Sequence, residues 1–386
     1  MKKCGSQIFV IDDLADRKHN CDVLLDQNFY LDSTHRYKNL VTTECKLLLG
    51  PKYALLRDEF RDARQTVKPR IGEVERILVF LGGMDAGNYT SSVINVLEEI
   101  GVQAHVDIVI GATHPQSENI VQRCLKLGYF CHIQTSRIAE LIASADLAIG
   151  AGGSATWERC CLGLPSITFS VAKNQDQLVS DAAIEGVIYA VEISSNLEQQ
   201  LKVHLPAIIA NNYLRQCFSE KSLKLVDGLG VFRVVSEFDC CPLKMRKADS
   251  EDCLDVWNWR NAPENRLVSR NSTVIDLNTH MCWYEAVLNS PNRILLIGEL
   301  VGKKVGVVRF DIENREAEVS IYLIPGISGK GLGKRLLRSA EQWLKQSCPE
   351  MEIVVAEVMS ENLESSRLFL NTGYSQTSIK YKKVMH

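Results

Sequence analysis

A change of pattern part-way along the chain constrains its fold more than any other feature. Up to about residue 230, short apolar runs alternate with helical patterns, whereas after Phe238 strand-like runs follow one another directly. In the first part, residues 7–11, 46–49, 76–81, 106–110, 129–133, 146–150 and 166–169 read as buried strands. Residues 88–100 carry Val93, Val96, Leu97 and Ile100 at helical spacing, and 117–127, 137–143 and 175–184 also read as helices. Strands alternating with helices pair in parallel and predict a doubly wound sheet. Ligands of such sheets sit beyond the carboxyl ends of the strands. That places the loops 82–88, 112–115, 150–154 and 172–175 on one rim.

The second part predicts a strand at 242–246, helices at 249–261 and 276–288, and then three strands in series at 294–300, 304–311 and 316–324. Val301-Gly302-Lys303 between the first two of that series is a hairpin signal. A glycine-rich loop, a helix at 331–345, a strand at 352–358, a helix at 363–372 and a last strand complete it. Strands in series pair antiparallel, so this is a different fold. The expected segments are 1–69, 70–238 and 239–386.

Composition narrows the class. The sequence has 386 residues, 46% hydrophobic and 24% charged, with a net charge of −3. That is ordinary for a soluble globular protein and apolar enough to disfavour disorder. No apolar run approaches the ~20 residues of a membrane span. The near-neutral balance, without a basic tract, argues against a nucleic-acid binder that works by phosphate neutralisation. Met1-Lys2-Lys3 is followed by too short an apolar run for a signal peptide. The thirteen cysteines are odd in number and contain no C-x-x-C pair, which predicts a cytoplasmic protein with reduced thiols and no zinc ribbon. No metal is expected.

Two motifs in the second part carry chemistry. Ile324-Pro325-Gly326-Ile327-Ser328-Gly329-Lys330-Gly331-Leu332-Gly333-Lys334 follows a strand and opens a helix. Amides of a glycine-rich turn at a helix N-terminus form an anion nest, and glycines let the backbone approach a pyrophosphate closely. Further on, Asn362, Ser365 and Phe369 share one helical face, with Leu368, Gly373 and Tyr374 completing the pattern. Together these motifs resemble the GNAT superfamily of acetyl-CoA-dependent N-acetyltransferases over roughly 243–385. The resemblance implies acetyl-CoA as co-substrate, held by Ile324, Gly329, Lys330, Gly331, Leu332, Gly333 and Lys334, with the pyrophosphate on the amides of 329–334. It implies that strand 316–324 splays from strand 352–358, that the thioester lies in the gap, and that Asn362 and Ser365 contact the cofactor. Direct transfer to an amine needs a base and an acid. Glu318 is the base candidate, against the reading of a solvated strand glutamate. Ser328 stands where the family often has Arg or Gln, and Phe369 where many members have a Tyr acid. Tyr374 and Tyr381 are the candidate substitutes, Tyr374 the one named for the site, each against the reading of a packing residue, and the acid stays unassigned.

Trp257-Asn258-Trp259-Arg260-Asn261, Arg266, His280 and Trp283 resemble the subgroup that acetylates the 4-amino group of a UDP-linked amino sugar in pseudaminic acid synthesis. The same opening occurs in relatives that modify ribosomal protein N-termini. Arg260, His280 and Trp283 are therefore candidate substrate contacts, since aromatics and Arg suit uracil stacking and phosphate pairing. A Trp-rich helix packed into the core is the competing reading.

In the first part, Phe9-Val10-Ile11-Asp12-Asp13, Leu55-Leu56-Arg57, Gly82-Gly83-Met84-Asp85-Ala86-Gly87-Asn88, Gly150-Ala151-Gly152-Gly153-Ser154 through Trp157-Glu158-Arg159, and Asn174-Gln175 form a second pattern. It resembles the UDP-sugar hydrolase family of pseudaminic acid synthesis, with a two-lobed glycosyltransferase B architecture. The implied UDP-sugar contacts are Gly83, Asp85, Asn88, Gly152, Gly153, Ser154, Glu158, Asn174 and Gln175. Gly152-Gly153 would cradle a diphosphate and Glu158 would accept from the ribose hydroxyls. Asp12, Asp13 and Asp26 are expected near the cleft. The family's opening Gly-rich loop with a catalytic His has no counterpart in this sequence. The expectation is an α/β chain with an incomplete glycosyltransferase-B-like doubly wound unit, weak as a hydrolase and open to completion by a companion chain, followed by a GNAT α+β domain with a mixed, mainly antiparallel sheet. The rival readings are an acetyltransferase of protein N-termini or small amines, and a non-catalytic UDP-sugar-binding module.

Overall fold

A computed structural model of the chain describes residues 7–192, 196–238, 242–328, 331–359 and 361–377. Its backbone divides into two units, Met1–Val231 and Phe232–His386.

The first unit opens with a small parallel sheet, β1 (Phe9–Ile11), β2 (Val23–Asp26) and β3 (Lys46–Leu49), in that order. Helices α1 (Ser33–Arg36) and α2 (Asp58–Arg64) accompany it. The expected strands at 7–11 and 46–49 are there; β2 is an addition, because three apolar residues before Asp26 are too few to show a period. A six-stranded parallel sheet follows: β4 (Arg76–Phe80), β5 (His105–Ile110), β6 (Phe130–Ile133), β7 (Leu147–Ala151), β8 (Ser166–Phe169) and β9 (Tyr189–Ala190). Between them run α3 (Tyr89–Glu99), α4 (Ser117–Leu127), α5 (Ile138–Ser144), α6 (Ser154–Cys161) and α7 (Asp176–Glu185), and after them α8 (Leu197–Ala210) and α9 (Asn212–Leu225); α10 (Gly230–Val235) spans the division into the second unit.

The strand order is β6-β5-β4-β7-β8-β9. The chain therefore winds outward one way from β4 and then returns to continue from β7, a Rossmann-like doubly wound sheet whose switch point lies between β4 and β7. Both faces are covered, which explains why the strands are continuous apolar runs. Ile77, Val79, Ile108 and Ile149 pack with Val93, Ile94 and Leu201 on one face. Leu78, Val109 and Ala148 pack with Ile138, Trp157 and Leu178 on the other. The alternation along β4 follows from the two-residue side-chain period.

In the second unit, β10 (Leu243–Lys247), β11 (Arg293–Leu300), β12 (Lys303–Glu313) and β13 (Glu316–Leu323) pair antiparallel in sequence, and β14 (Ile353–Val355) joins β13 in parallel. The sheet is thus mixed and mainly antiparallel. Helices α11 (Cys253–Asn261), α12 (Pro263–Leu267) and α13 (Leu277–Leu288) precede β11, α14 (Leu332–Ser347) links β13 to β14, and α15 (Leu363–Leu370) follows. The hairpin between β11 and β12 turns on Val301 and Gly302, both at positive φ (51° and 73°), the signature of a two-residue primed turn. α14 packs on the sheet through Leu336, and a Cβ on Gly298 or Gly306 would stand 2.2 or 2.7 Å from that side chain. Glycine at both positions sets how closely helix and sheet approach. Tyr381 and part of the last expected strand lie outside the described residues.

Candidate functional site

The first unit holds a cleft of about 490 Å³ at the carboxyl ends of its strands. Phe80 ends β4 and Leu81, Gly82 and Gly83 follow it, Ile110 and Gly111 close β5, and Gly152, Gly153, Ser154 and Glu158 follow β7; all line the cleft with Gln175 and Arg57. This is the switch-point crevice of a doubly wound sheet. Gly153 adopts φ 98° immediately before α6, a conformation that favours glycine. The first amides of α6 have no intrahelical acceptor and carry the positive end of the helix dipole. Burial raises the affinity of Glu158 for its proton, with the Arg57 guanidinium opposing. α6 is anchored by Trp157, whose indole Nε1 donates to Asn28 Oδ1 at 3.0 Å.

Other expected contacts stand elsewhere. Asp85 is buried and spent on α3: it accepts from Tyr89 N, Thr90 N and Thr90 Oγ1 at 2.7–3.0 Å, with His114 Nε2 at 3.2 Å. Asn88 sits at φ 52° before α3 and accepts from Ser91 Oγ. Asn174 is exposed and is not among the lining residues. Gln175 reaches the cleft, and its Oε1 accepts from Val171 N. Asp12 accepts from Ala15 N, and Asp26 from Asn28 N and Tyr37 Oη; neither lines the cleft. Arg57, Gln134 and Thr135 line it without having been assigned a role from sequence. Arg57 stands in the quoted pattern, but nothing in its spacing tells that it reaches the same cleft as Glu158.

In the second unit, β13 and β14 are paired only at Glu316↔Ile353, Ala317↔Val354 and Glu318↔Val355. β13 runs on to Leu323 without that neighbour, so the two strands part just beyond Glu318. The exposed strand edge offers amides and carbonyls to an extended ligand. α14 starts after Gly331 (φ 75°) and carries Lys334, Arg335 and Arg338 in its first two turns. Unpaired amides plus basic residues at a helix start suit a pyrophosphate. A coenzyme A molecule fits this arrangement. Gly329 and Lys330 lie outside the described residues. Ile324 is buried and donates its backbone N–H to Val305 O, and Leu332 is a core residue. Gly333 lies against Leu368, 3.6 Å from where its Cβ would stand. Asn362 caps α15: its Oδ1 accepts from Ser365 N at 3.0 Å and its Nδ2 donates to Val268 O at 3.3 Å.

Glu318 is half-exposed at the parting of the strands and ion-pairs with Arg270, whose guanidinium also reaches Glu357 Oε2 at 2.7 Å. Neither Arg270 nor Glu357 was singled out in the sequence, because the three residues meet only through the loop after α12. The Tyr374 hydroxyl donates to Glu341 Oε1 at 2.6 Å. Burial, then the neighbouring carboxylate, pushes its pKa well above the ordinary tyrosine range. His280 is 2% exposed, its Nε2 faces Cys253 O at 3.2 Å, and burial lowers its pKa. Trp283 packs beside it (centroids 5.3 Å apart) under the Arg309 guanidinium. Arg260 donates to Asn271 O, while its Nη1 is buried with no hydrogen-bond partner among the described residues. Among these residues there is also no group of three His, Cys, Asp or Glu arranged for a metal ion, and no helix is long and apolar enough to cross a membrane.

Residues 254–374 match the acetyltransferase (GNAT) family. The second unit is therefore a GNAT acetyltransferase domain, and acetyl-CoA is its co-substrate. The chain is 27% identical over 207 residues to the spore coat polysaccharide biosynthesis protein SpsG of Bacillus subtilis, covering 52% of this chain and 60% of that protein. It is 26% identical over 190 residues to the UDP-2,4-diacetamido-2,4,6-trideoxy-beta-L-altropyranose hydrolase of Campylobacter jejuni, covering 49% of this chain and 65% of that protein. The resemblance to both lies in the N-terminal part. It is 23% identical over 348 residues to the uncharacterized protein MJ1062 of Methanocaldococcus jannaschii, covering 85% of this chain and 68% of that protein. The chain thus spans less than two thirds of the length of the first and second of these relatives.

Proposed function

We propose that the chain is an acetyl-CoA-dependent N-acetyltransferase acting on the 4-amino group of a UDP-linked amino sugar in pseudaminic acid (nonulosonate) biosynthesis. The observation that carries this reading is the pairing of a GNAT domain with a unit similar to a hydrolase whose named substrate is a diacetamido nucleotide sugar. Acetylating a 4-amino group is the reaction that makes a second acetamido group. The first unit is then a separate site for the acetylated UDP-sugar product, with the diphosphate at Gly153 and the start of α6 and the ribose hydroxyls on Glu158. In the GNAT domain, Glu318 takes a proton from the acceptor ammonium, directly or through water. The freed amine attacks the thioester carbonyl, the C–S bond breaks, and the second proton on the nitrogen passes, directly or through water, to the departing coenzyme A sulfur, leaving the neutral amide and the free thiol. A positioned base is worth about 10²–10⁴ in rate. Tyr374 is left out of this route because its proton is committed to Glu341.

The test is incubation with acetyl-CoA and UDP-4-amino-4,6-dideoxy-N-acetyl-β-L-altrosamine, with products followed by mass spectrometry. One added acetyl group with UDP attached is the expected product. UDP release after acetylation would add hydrolysis to the first unit. No acetyl gain on this sugar, with transfer to a peptide N-terminus or an amino acid, would replace the sugar acceptor.

A further inference from the structure

Arg159, on α6 directly after Glu158, is a buried charge that the chemistry above leaves unused. It is 2% exposed. Its Nη2 donates to Ala151 O at 2.9 Å, Thr156 Oγ1 at 3.2 Å and Thr168 Oγ1 at 3.3 Å. All three are neutral acceptors. Its Nε and Nη1 are buried with no hydrogen-bond partner among the described residues. Burial lowers its pKa to about 10, so it stays protonated at neutral pH. The carboxyl charge it feels is that of Glu158, which burial biases toward the neutral form; a buried ion balanced so weakly is costly.

The position of this charge suggests what completes it. Ala151, whose carbonyl Arg159 holds, lines the cleft. Nη1 presses against the neighbouring Gly150 so closely that a Cβ there would stand 2.6 Å away. The guanidinium is thus one peptide behind the cleft wall. Arg57, ion-paired with Glu59 at 2.9 Å, adds a second cation to the wall, and Glu158, the carboxyl that lines it, is biased by burial toward its neutral form. Two cations, a helix N-terminus and one weakened acid converge on a single cavity. In a low-dielectric wall such a charge is felt at short range with little screening.

We propose that Arg159 is the charge-supplying positioning residue of a diphosphate subsite at the N-terminus of α6, acting through the wall rather than by contact. This deepens the proposed binding of a nucleoside diphosphate sugar in the first unit and rests on it. The anion balances the buried guanidinium, and the guanidinium holds the Ala151 carbonyl inward, away from the phosphates.

Calorimetric titration of the full chain with UDP and with uridine tests this, in wild type, Arg159→Met and Arg159→Gln. Gln keeps a donor for Ala151 O and guards against the apolar variant failing to fold, which circular dichroism checks. The expected result is UDP binding in wild type at least about tenfold tighter than uridine, with UDP weakened about tenfold or more in the neutral variants and uridine unchanged. UDP and uridine weakened alike, or UDP unchanged in a folded variant, would overturn the role of Arg159 alone. UDP no tighter than uridine in wild type would overturn the diphosphate subsite whether or not the variants fold. Binding of neither ligand to wild type would overturn the nucleotide reading of the cleft, and this subsite with it.

Discussion

Glu318 and Arg270 stand 48 positions apart in the chain yet form one ion pair at the point where β13 and β14 separate. Exposed pairs of this kind contribute little to stability, about 0–1 kcal/mol, so their interest lies in the chemistry. Glu318→Gln keeps the shape and removes the base. It is expected to lower kcat/KM for acetyl transfer by about 10²-fold or more with acetyl-CoA binding retained, read by thiol release and by titration with acetyl-CoA. Unchanged turnover would remove Glu318 from the proposed route. Tyr374→Phe is expected to act on stability instead. It strips a part-buried hydrogen bond from the Glu341 carboxylate, at a cost of roughly 1 kcal/mol, visible as a lower denaturation midpoint in urea. A fall in kcat as large as that of Glu318→Gln, with the midpoint unmoved, would return the hydroxyl to the chemistry. Neither ion pair nor hydroxyl contact was legible in the sequence, because each joins elements far apart in the chain.

At the scale of elements, α11 is tied to the sheet by one buried carboxylate. Asp252, just before the helix, accepts from Arg246 of β10 at 2.6 and 2.8 Å and lies 2.7 Å from Lys304 of β12. Burial alone would raise its pKa, but the two cations override it and hold it at about 2, below the usual 3.8. The folded state therefore binds this proton more weakly than the unfolded chain does. The stabilisation is complete above pH 4 and is lost as the pH falls from about 4 towards 2. Asp252→Asn is expected to destabilise the second unit by about 2 kcal/mol at pH 7. The gap to wild type should shrink steadily below pH 4 in urea titrations. A gap independent of pH would mean that the ion pairs contribute nothing beyond packing. The elements themselves were largely readable. The strands of the parallel sheet are apolar runs covered on both faces, and the hairpin at Val301-Gly302 announces itself. β2 was not readable, since it is a strand only because β1 and β3 flank it.

At the scale of the molecule, the two units are expected to answer to different ligands. A ligand at about 100 times its Kd stabilises the state it binds by about 2.7 kcal/mol. In differential scanning calorimetry of the full chain, UDP should raise the transition of the first unit and acetyl-CoA that of the second. A UDP shift confined to the second unit would move the nucleotide sugar to the GNAT domain alone. No shift with acetyl-CoA would contradict the proposed coenzyme site at α14.

The sequence by itself determined the two kinds of fold, because side-chain period and the order of strands and helices are local properties. It also determined the glycine-bearing turns at Gly153 and Gly331, where only backbone freedom at positive φ serves. The tertiary structure decided which polar residues face a ligand and which are consumed inside the protein. Asp85 caps a helix, His280 is enclosed beside Cys253 O, and Tyr374 serves Glu341. In sequence these look the same as Glu158, which faces the cleft. The difference is burial and the identity of a distant partner, and both arise only when the chain has folded.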